Sequence, residues 1–182
     1  MNIFQYLKSK LKEAKGFTAV ETIATVFVFS IVVVVFGDAF VHSLNLQRTA
    51  FSIQQVEENA SFILEAMAKE IRVSQISGVD TNCPASPSSS LNMVHPVNGD
   101  ITYTLVGNDV HRIVDSGGGP TDTIFNSNTV QFTRLQFCIL GTASADGEQP
   151  RVTILAGLRS TNSLQQATME LQTTVSGRSL ND

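Results

Sequence analysis

The chain of 182 residues carries 12 basic and 16 acidic side chains, with 42% apolar residues and only 15% charged. That length suits one globular domain, or a small domain plus an extension, and a net charge of −4 excludes a strongly basic nucleic-acid binder. The apolar content excludes disorder over most of the chain, 5 Pro and 12 Gly exclude collagen-like fibres, and 2 Cys are too few for a disulfide-rich scaffold.

Residues 1–16, MNIFQYLKSKLKEAKG, set Lys8, Lys10, Lys12 and Lys15 against one acid, Glu13. From Phe17 to Phe36 the chain reads FTAVETIATVFVFSIVVVVF, with Glu21 as its one formal charge. As a helix this stretch spans about 30 Å, the thickness of a bilayer hydrocarbon core. A basic flank followed by an apolar run keeps the N-terminus cytoplasmic and translocates the rest. A cleaved secretory signal fits poorly, because the run is too long and no small-x-small site follows it. Without residues 1–16 the balance is 8 basic minus 15 acidic, or −7, so the positive charge belongs to the leader and not to a binding surface.

A carboxylate inside a membrane helix costs several kcal/mol, which marks Glu21 as a functional residue unless it simply snorkels to the interface. Lys15-Gly16-Phe17-Thr18, with Glu21 ahead of the apolar run, resembles the cleavage motif of type IV pilins and pseudopilins. The resemblance implies that a prepilin peptidase cuts between Gly16 and Phe17 and methylates the new Phe17 amine. It also gives Glu21 the place of the family glutamate, fifth in the mature chain. Two features depart from the family: Ala19-Val20 replaces a bulky aliphatic pair, and Asp38 stands where a helix-interrupting proline is usual, leaving Gly37 as the point of any softening. The physics of the motif is independent of the family. An amine at Phe17 and the Glu21 carboxylate lie about one helical turn apart and neutralise each other, within one chain or between axially staggered neighbours.

Apolar residues continue at Phe40, Leu44, Ile53, Val56, Ala60, Ile63, Met67 and Ile71, mostly three or four apart, and no proline precedes Pro84. One helix from about Phe17 to Ile76 is expected, though the same stripe also suits an ordinary coiled coil. Ser77 to Ser90, SGVDTNCPASPSSS, reads as a linker. Beyond it the period becomes alternating. Ile101–Leu105 and Val110–Val114 flank Gly107-Asn108-Asp109 as a hairpin, and Gly117–Gly119 with Pro120 forms a turn. Val130–Leu140, Arg151–Leu158 and a segment within Ala167–Val175 complete an antiparallel sheet, for which the amphipathic half of the helix is the packing partner. Leu64–Arg72, the Tyr103–Arg112 hairpin and Leu171–Val175 are similar, more loosely, to larger minor pilins and pseudopilins.

No phosphate-loop, serine-hydrolase or zincin motif occurs, and no cofactor or metal is called for. His42, His95 and His111 fall in different predicted elements and read as surface or packing residues. Asp80, Asp109, Asp115 and Asp122 sit near turns, where Asp caps its own backbone; a calcium loop is the alternative, without EF-hand spacing. Cys83 and Cys138 both lie on the translocated side, where an even count favours a disulfide over two free thiols.

The expected architecture is α+β: a cleaved leader (1–16), a transmembrane assembly helix (17–36), its amphipathic continuation (37–76), a Ser/Pro linker (77–92) and an antiparallel sheet domain (93–182). By resemblance the chain is a non-enzymatic minor pilin or pseudopilin of a type IV pilus or type II secretion-like filament. It would begin as a single-pass inner-membrane precursor with an exported C-terminal domain. Its implied partners are the prepilin peptidase, other pilin subunits, the inner-membrane assembly platform and the lipid bilayer. The competing reading is a single-span, membrane-anchored exported binding module that does not polymerise.

Overall fold

The computed structural model describes residues 16–143, 148–162 and 166–177, so the leader up to Lys15 lies outside the described residues. The chain divides into two compact units, Met1–Leu46 and Gln47–Asp182, and helix α1, Ala19–Val73, contributes to both. Thr18 begins the helix, its hydroxyl accepting the Glu21 N–H at 3.2 Å, which satisfies one orphan amide of the first turn. The helix stops three residues short of the expected Ile76. Ser74 N–H closes the last turn on the Glu70 carbonyl at 3.0 Å, and the chain then extends so that Ile76 is buried from a strand.

No helix residue before Ser52 is buried. From there Ser52, Val56, Ala60, Ile63, Met67, Ala68 and Ile71 turn inward at spacings of mostly three and four, the periodicity of one helix face. All but Ser52 join Leu91, Met93, Ile101, Tyr103, Phe132, Phe137, Ile154 and Leu158 in one core. The expected α+β class is the class observed.

The sheet expected as one is two, both antiparallel. The first has five strands in sequence order, β1 (Gln75–Ser77), β2 (Ser90–His95), β3 (Gly99–Val106), β4 (Asp109–Asp115) and β5 (Pro120–Ile124). The second contains β6 (Val130–Leu140), β7 (Arg151–Ser160) and β8 (Thr168–Ser176). In the β3–β4 turn Gly107 takes a φ of +64° ahead of Asn108, the arrangement of a two-residue hairpin turn with glycine first. The break between the sheets is stitched by amides. Asn108 donates its side-chain NH₂ to the Phe132 carbonyl at 3.0 Å, while its own carbonyl accepts the Phe132 N–H at 2.9 Å. Asn126 accepts the Val110 N–H at 2.8 Å and donates to the Val130 carbonyl at 2.9 Å.

The stretch read as a linker is more ordered than its composition suggests. Strand β2 begins inside it at Ser90, and Leu91 is fully buried. Ser88 bridges to Phe137 through reciprocal backbone bonds of 2.8 Å, and Thr81 N–H donates to the Ile139 carbonyl at 2.8 Å. Asp80 accepts the Gly141 and Thr142 amides and the Thr142 hydroxyl at 2.8–3.1 Å. The Thr142 bonds foremost hold its carboxyl below the usual range. Cys83 and Cys138 form the disulfide, with Cα atoms 5.9 Å apart, which ties this segment to β6. Reduction is expected to lower the unfolding free energy by about 2–4 kcal/mol, read from urea midpoints of the full chain in detergent with and without reductant. Unchanged midpoints in reductant with both thiols alkylated would show that the backbone bridges alone hold the segment.

Candidate assembly site

Within the unit Met1–Leu46 the helix is predominantly apolar up to Phe36. Its most apolar eighteen-residue stretch has a mean hydropathy of 2.5, and none of that stretch is buried. By length and composition this helix is able to cross a membrane. The hydroxyls of the segment are satisfied locally: Thr22 donates to the Thr18 carbonyl at 3.3 Å, Thr25 to that of Glu21 at 2.7 Å, and Ser30 to that of Val26 at 2.8 Å. Such back-bonding to the fourth carbonyl behind lets a hydroxyl enter hydrocarbon without an orphaned donor.

Glu21 is what remains. It stands in the first turn of α1, where the helix dipole favours a negative charge. Thr18-Ala19-Val20-Glu21 also has the spacing of a capping box, and the Thr18 half of that box is formed. This local role was readable in the sequence and was missed there. Along one side of the helix Glu21 adjoins Ala24, Thr25, Val28, Phe29 and Val32, a shallow apolar groove with one carboxylate at its end. Gly16 and Phe17 precede the helix in extended, exposed chain, Phe17 with 80% of its surface free. A peptidase or a neighbouring helix therefore meets no obstruction from the described residues at this bond.

The second concentration of charge lies in the unit Gln47–Asp182. Glu70, in the penultimate turn of α1, accepts Arg112 Nη2 at 2.6 Å and Nε at 3.1 Å from β4, and the Tyr103 hydroxyl at 2.7 Å from β3. Arg112 also lies 6.0 Å from the centre of the Phe125 ring, which meets Tyr103 edge-on at 5.7 Å. Burial first, and then the bond to the Glu70 carboxylate, push the Tyr103 phenol far above its ordinary range. The same carboxylate, more than offsetting burial, raises the Arg112 guanidinium. Tyr103 and Arg112 thus keep the protonated states that the contacts require. The cluster fastens helix to sheet.

The other singled-out residues do not converge. His95 Nδ1 accepts the Val97 and Asn98 amides at 3.2 and 3.1 Å, and His111 pairs with Asp122 at 2.8 Å across β4 and β5. Asp109 accepts the Asn126 amide, and Asp115 accepts the Gly117 N–H in the turn after β4. His42 is exposed on α1. Among the described residues no group of three or more His, Cys, Asp or Glu is placed to hold a metal ion. No family model matches the chain, and comparison with curated proteins and with solved structures likewise finds no match.

Proposed function

We propose that the chain is a structural subunit of the minor pilin or pseudopilin kind. It is held in the inner membrane by its N-terminal helix, cut by a prepilin peptidase after Gly16, and assembled with other pilin subunits by an inner-membrane platform. The observation that carries this reading is an apolar stretch of helix up to Phe36, without intramolecular cover, whose one carboxylate stands one turn after an exposed Gly16-Phe17 bond. Such a helix is stable only in lipid or among other helices. Moving it laterally from one to the other exchanges apolar contacts for apolar contacts, so the transfer is nearly neutral apart from Glu21. The carboxylate needs a cation once lipid headgroups and water are excluded, and the new Phe17 amine supplies one. The work of the protein is then assembly, with the disulfide-tied sheet domain displayed on the exported side.

N-terminal mass analysis of the protein from its native membranes is the direct test. Phe17 should stand first, carrying one methyl group. A mature protein that still begins at Met1, in cells with active peptidase, would leave the chain as a membrane-anchored exported module that does not polymerise.

A further inference from the structure

The two antiparallel sheets end on four strands, β1 and β5 in the first, β6 and β8 in the second. An edge strand offers unpaired N–H and C=O groups to any extended chain, and folded proteins blunt such edges by shortness, proline, charge or cover. Three of the four are blunted here. Strand β1 has three residues, and β5 has five, opening on Pro120, which has no N–H to offer. The outer edge of β6 is covered, since Asn108, Ser88 and Thr81 bond to Phe132, Phe137 and Ile139. Strand β8 has none of these devices. Its nine residues hold no proline and no lysine, and its register with β7 runs without a bulge. The Ser160 N–H donates to the Ala167 carbonyl at 2.8 Å and the Gly177 N–H to the Pro150 carbonyl at 2.7 Å, so the odd-numbered residues between 167 and 177 bond to β7. The N–H and C=O groups of Thr168, Glu170, Gln172, Thr174 and Ser176 therefore face outward, without a partner among the described residues. The one charge of the strand is kept off this edge. Glu170 lies back over Gly157, where a Cβ would fall 2.6 Å from its Oε1, and accepts Arg134 Nη2 at 2.6 Å.

We propose that the outer edge of β8 pairs, antiparallel, with β8 of a second copy of this chain, joining two three-stranded sheets into one. The pairing lies wholly in the unit Gln47–Asp182 and does not depend on the filament reading. The occupant follows from the strand's own sequence. Outward-facing groups of one copy must meet those of the other, so even-numbered residues pair with even-numbered ones. The register that uses the whole strand then sets Gln172 opposite itself. Glu170 stands opposite Thr174 and Thr168 opposite Ser176, so no like charges meet and every pair on that face is polar. On the core-facing side Met169 meets Val175 and Leu171 meets Thr173. Met169 and Leu171 are only half-buried against the core of their own copy, and the added strand covers them. The paired edges exchange about ten backbone hydrogen bonds, the source of affinity in strand addition, while the side-chain pattern selects the partner. The β5 edge of another copy is a poorer match, because Pro120 leaves only the Asp122 and Ile124 amides on its free side.

Full-length chains carrying one added cysteine, treated in native membranes with a short bismaleimide, test the register, because Cys83 and Cys138 are already joined. Gln172→Cys should cross-link to its own copy. Thr168→Cys alone should give at least about ten-fold less, since the two positions 168 lie about 27 Å apart in the paired strands. Co-expressed with Ser176→Cys, it should give a mixed adduct at the Gln172→Cys level. Gln172→Pro removes an outward N–H and leaves the ladder to β7 whole. It should cut the mixed adduct at least about ten-fold at an unchanged urea midpoint in detergent. Gln172→Lys sets like charges opposite each other and should cut the adduct about five-fold with every backbone group in place, which decides the matter if the proline lowers the midpoint. Adducts from Thr168→Cys alone at the Gln172→Cys level, adducts mainly to a different protein, no adducts, or a mixed adduct indifferent to Gln172→Lys would each overturn the pairing.

Discussion

Glu70→Ala is expected to lower the unfolding free energy by about 2–4 kcal/mol, measured by urea denaturation of the full chain in detergent. The truncation strands two partners at once. The Tyr103 hydroxyl, on a residue with no exposed surface, loses its acceptor, and Arg112 loses both of its short bonds. Arg112 keeps only 17% of its side-chain surface in solvent, so water replaces the carboxylate poorly. Because that remaining exposure is real, the loss falls below that of a fully enclosed pair. Tyr103→Phe should lose only about 1 kcal/mol, since the carboxylate keeps its guanidinium. Glu70→Ala combined with Arg112→Met should lose clearly less than the sum of the two single changes, as the stranded charge is then gone. A Glu70→Ala chain within about 0.5 kcal/mol of the parent would show that apolar packing alone seats the helix on the sheet.

That cluster was invisible in the sequence because its members lie 33 and 42 residues apart and follow no periodic rule. Glu70 sits on a helix full of charges, and only the fold selects it. What was legible is what the apolar period dictates. Val130–Leu140 was read to the residue, since its inward positions Val130, Phe132, Leu135, Phe137 and Ile139 are all apolar. The bulge between Phe132 and Arg134 that shifts their phase was not. Strand β5 went unread because all five of its residues are exposed, so burial leaves no alternation in PTDTI. Strand β2 was half lost in a serine run, although Leu91 and Met93 alternate around Asn92. The helix was extended to Ile76 because an apolar residue there continues the stripe. Periodicity does not tell a helix from a three-residue strand that buries the same side chain. Gly16, Phe17 and Glu21, the residues of the proposed assembly site, could be singled out from sequence because their spacing is local. The cap that Thr18 makes on Glu21 was equally local and carries a consequence for Glu21 itself.

Glu21→Gln and Glu21→Ala should both insert into the membrane more readily than the parent chain, because a charge has left the apolar helix. Both should have the leader removed if the chain is processed as proposed, since the Gly16-Phe17 bond precedes the helix in exposed chain. Neither should enter filaments in quantity. An uncompensated ammonium at Phe17, packed among helices, costs about 3 kcal/mol, which disfavours each subunit addition by roughly a hundred-fold. The capping geometry offers a rival account, in which Glu21 matters only as the third residue of a capping box that starts the helix. The two substitutions separate these accounts. Glutamine keeps a side-chain oxygen able to complete the box on the Thr18 amide, whereas alanine keeps only the Thr18 half, which uses the backbone N–H of residue 21, a difference of about 1 kcal/mol. If charge pairing governs assembly, Gln and Ala variants are excluded alike and accumulate in the membrane as cut chains. If the cap governs it, the Gln variant assembles at nearly the parental ratio while the Ala variant does not. Quantifying each variant against the parent in sheared filaments and in membranes decides between them. A Glu21→Gln chain found in filaments at the parental ratio would remove the charge pair from the mechanism and leave the carboxylate a local role in starting α1.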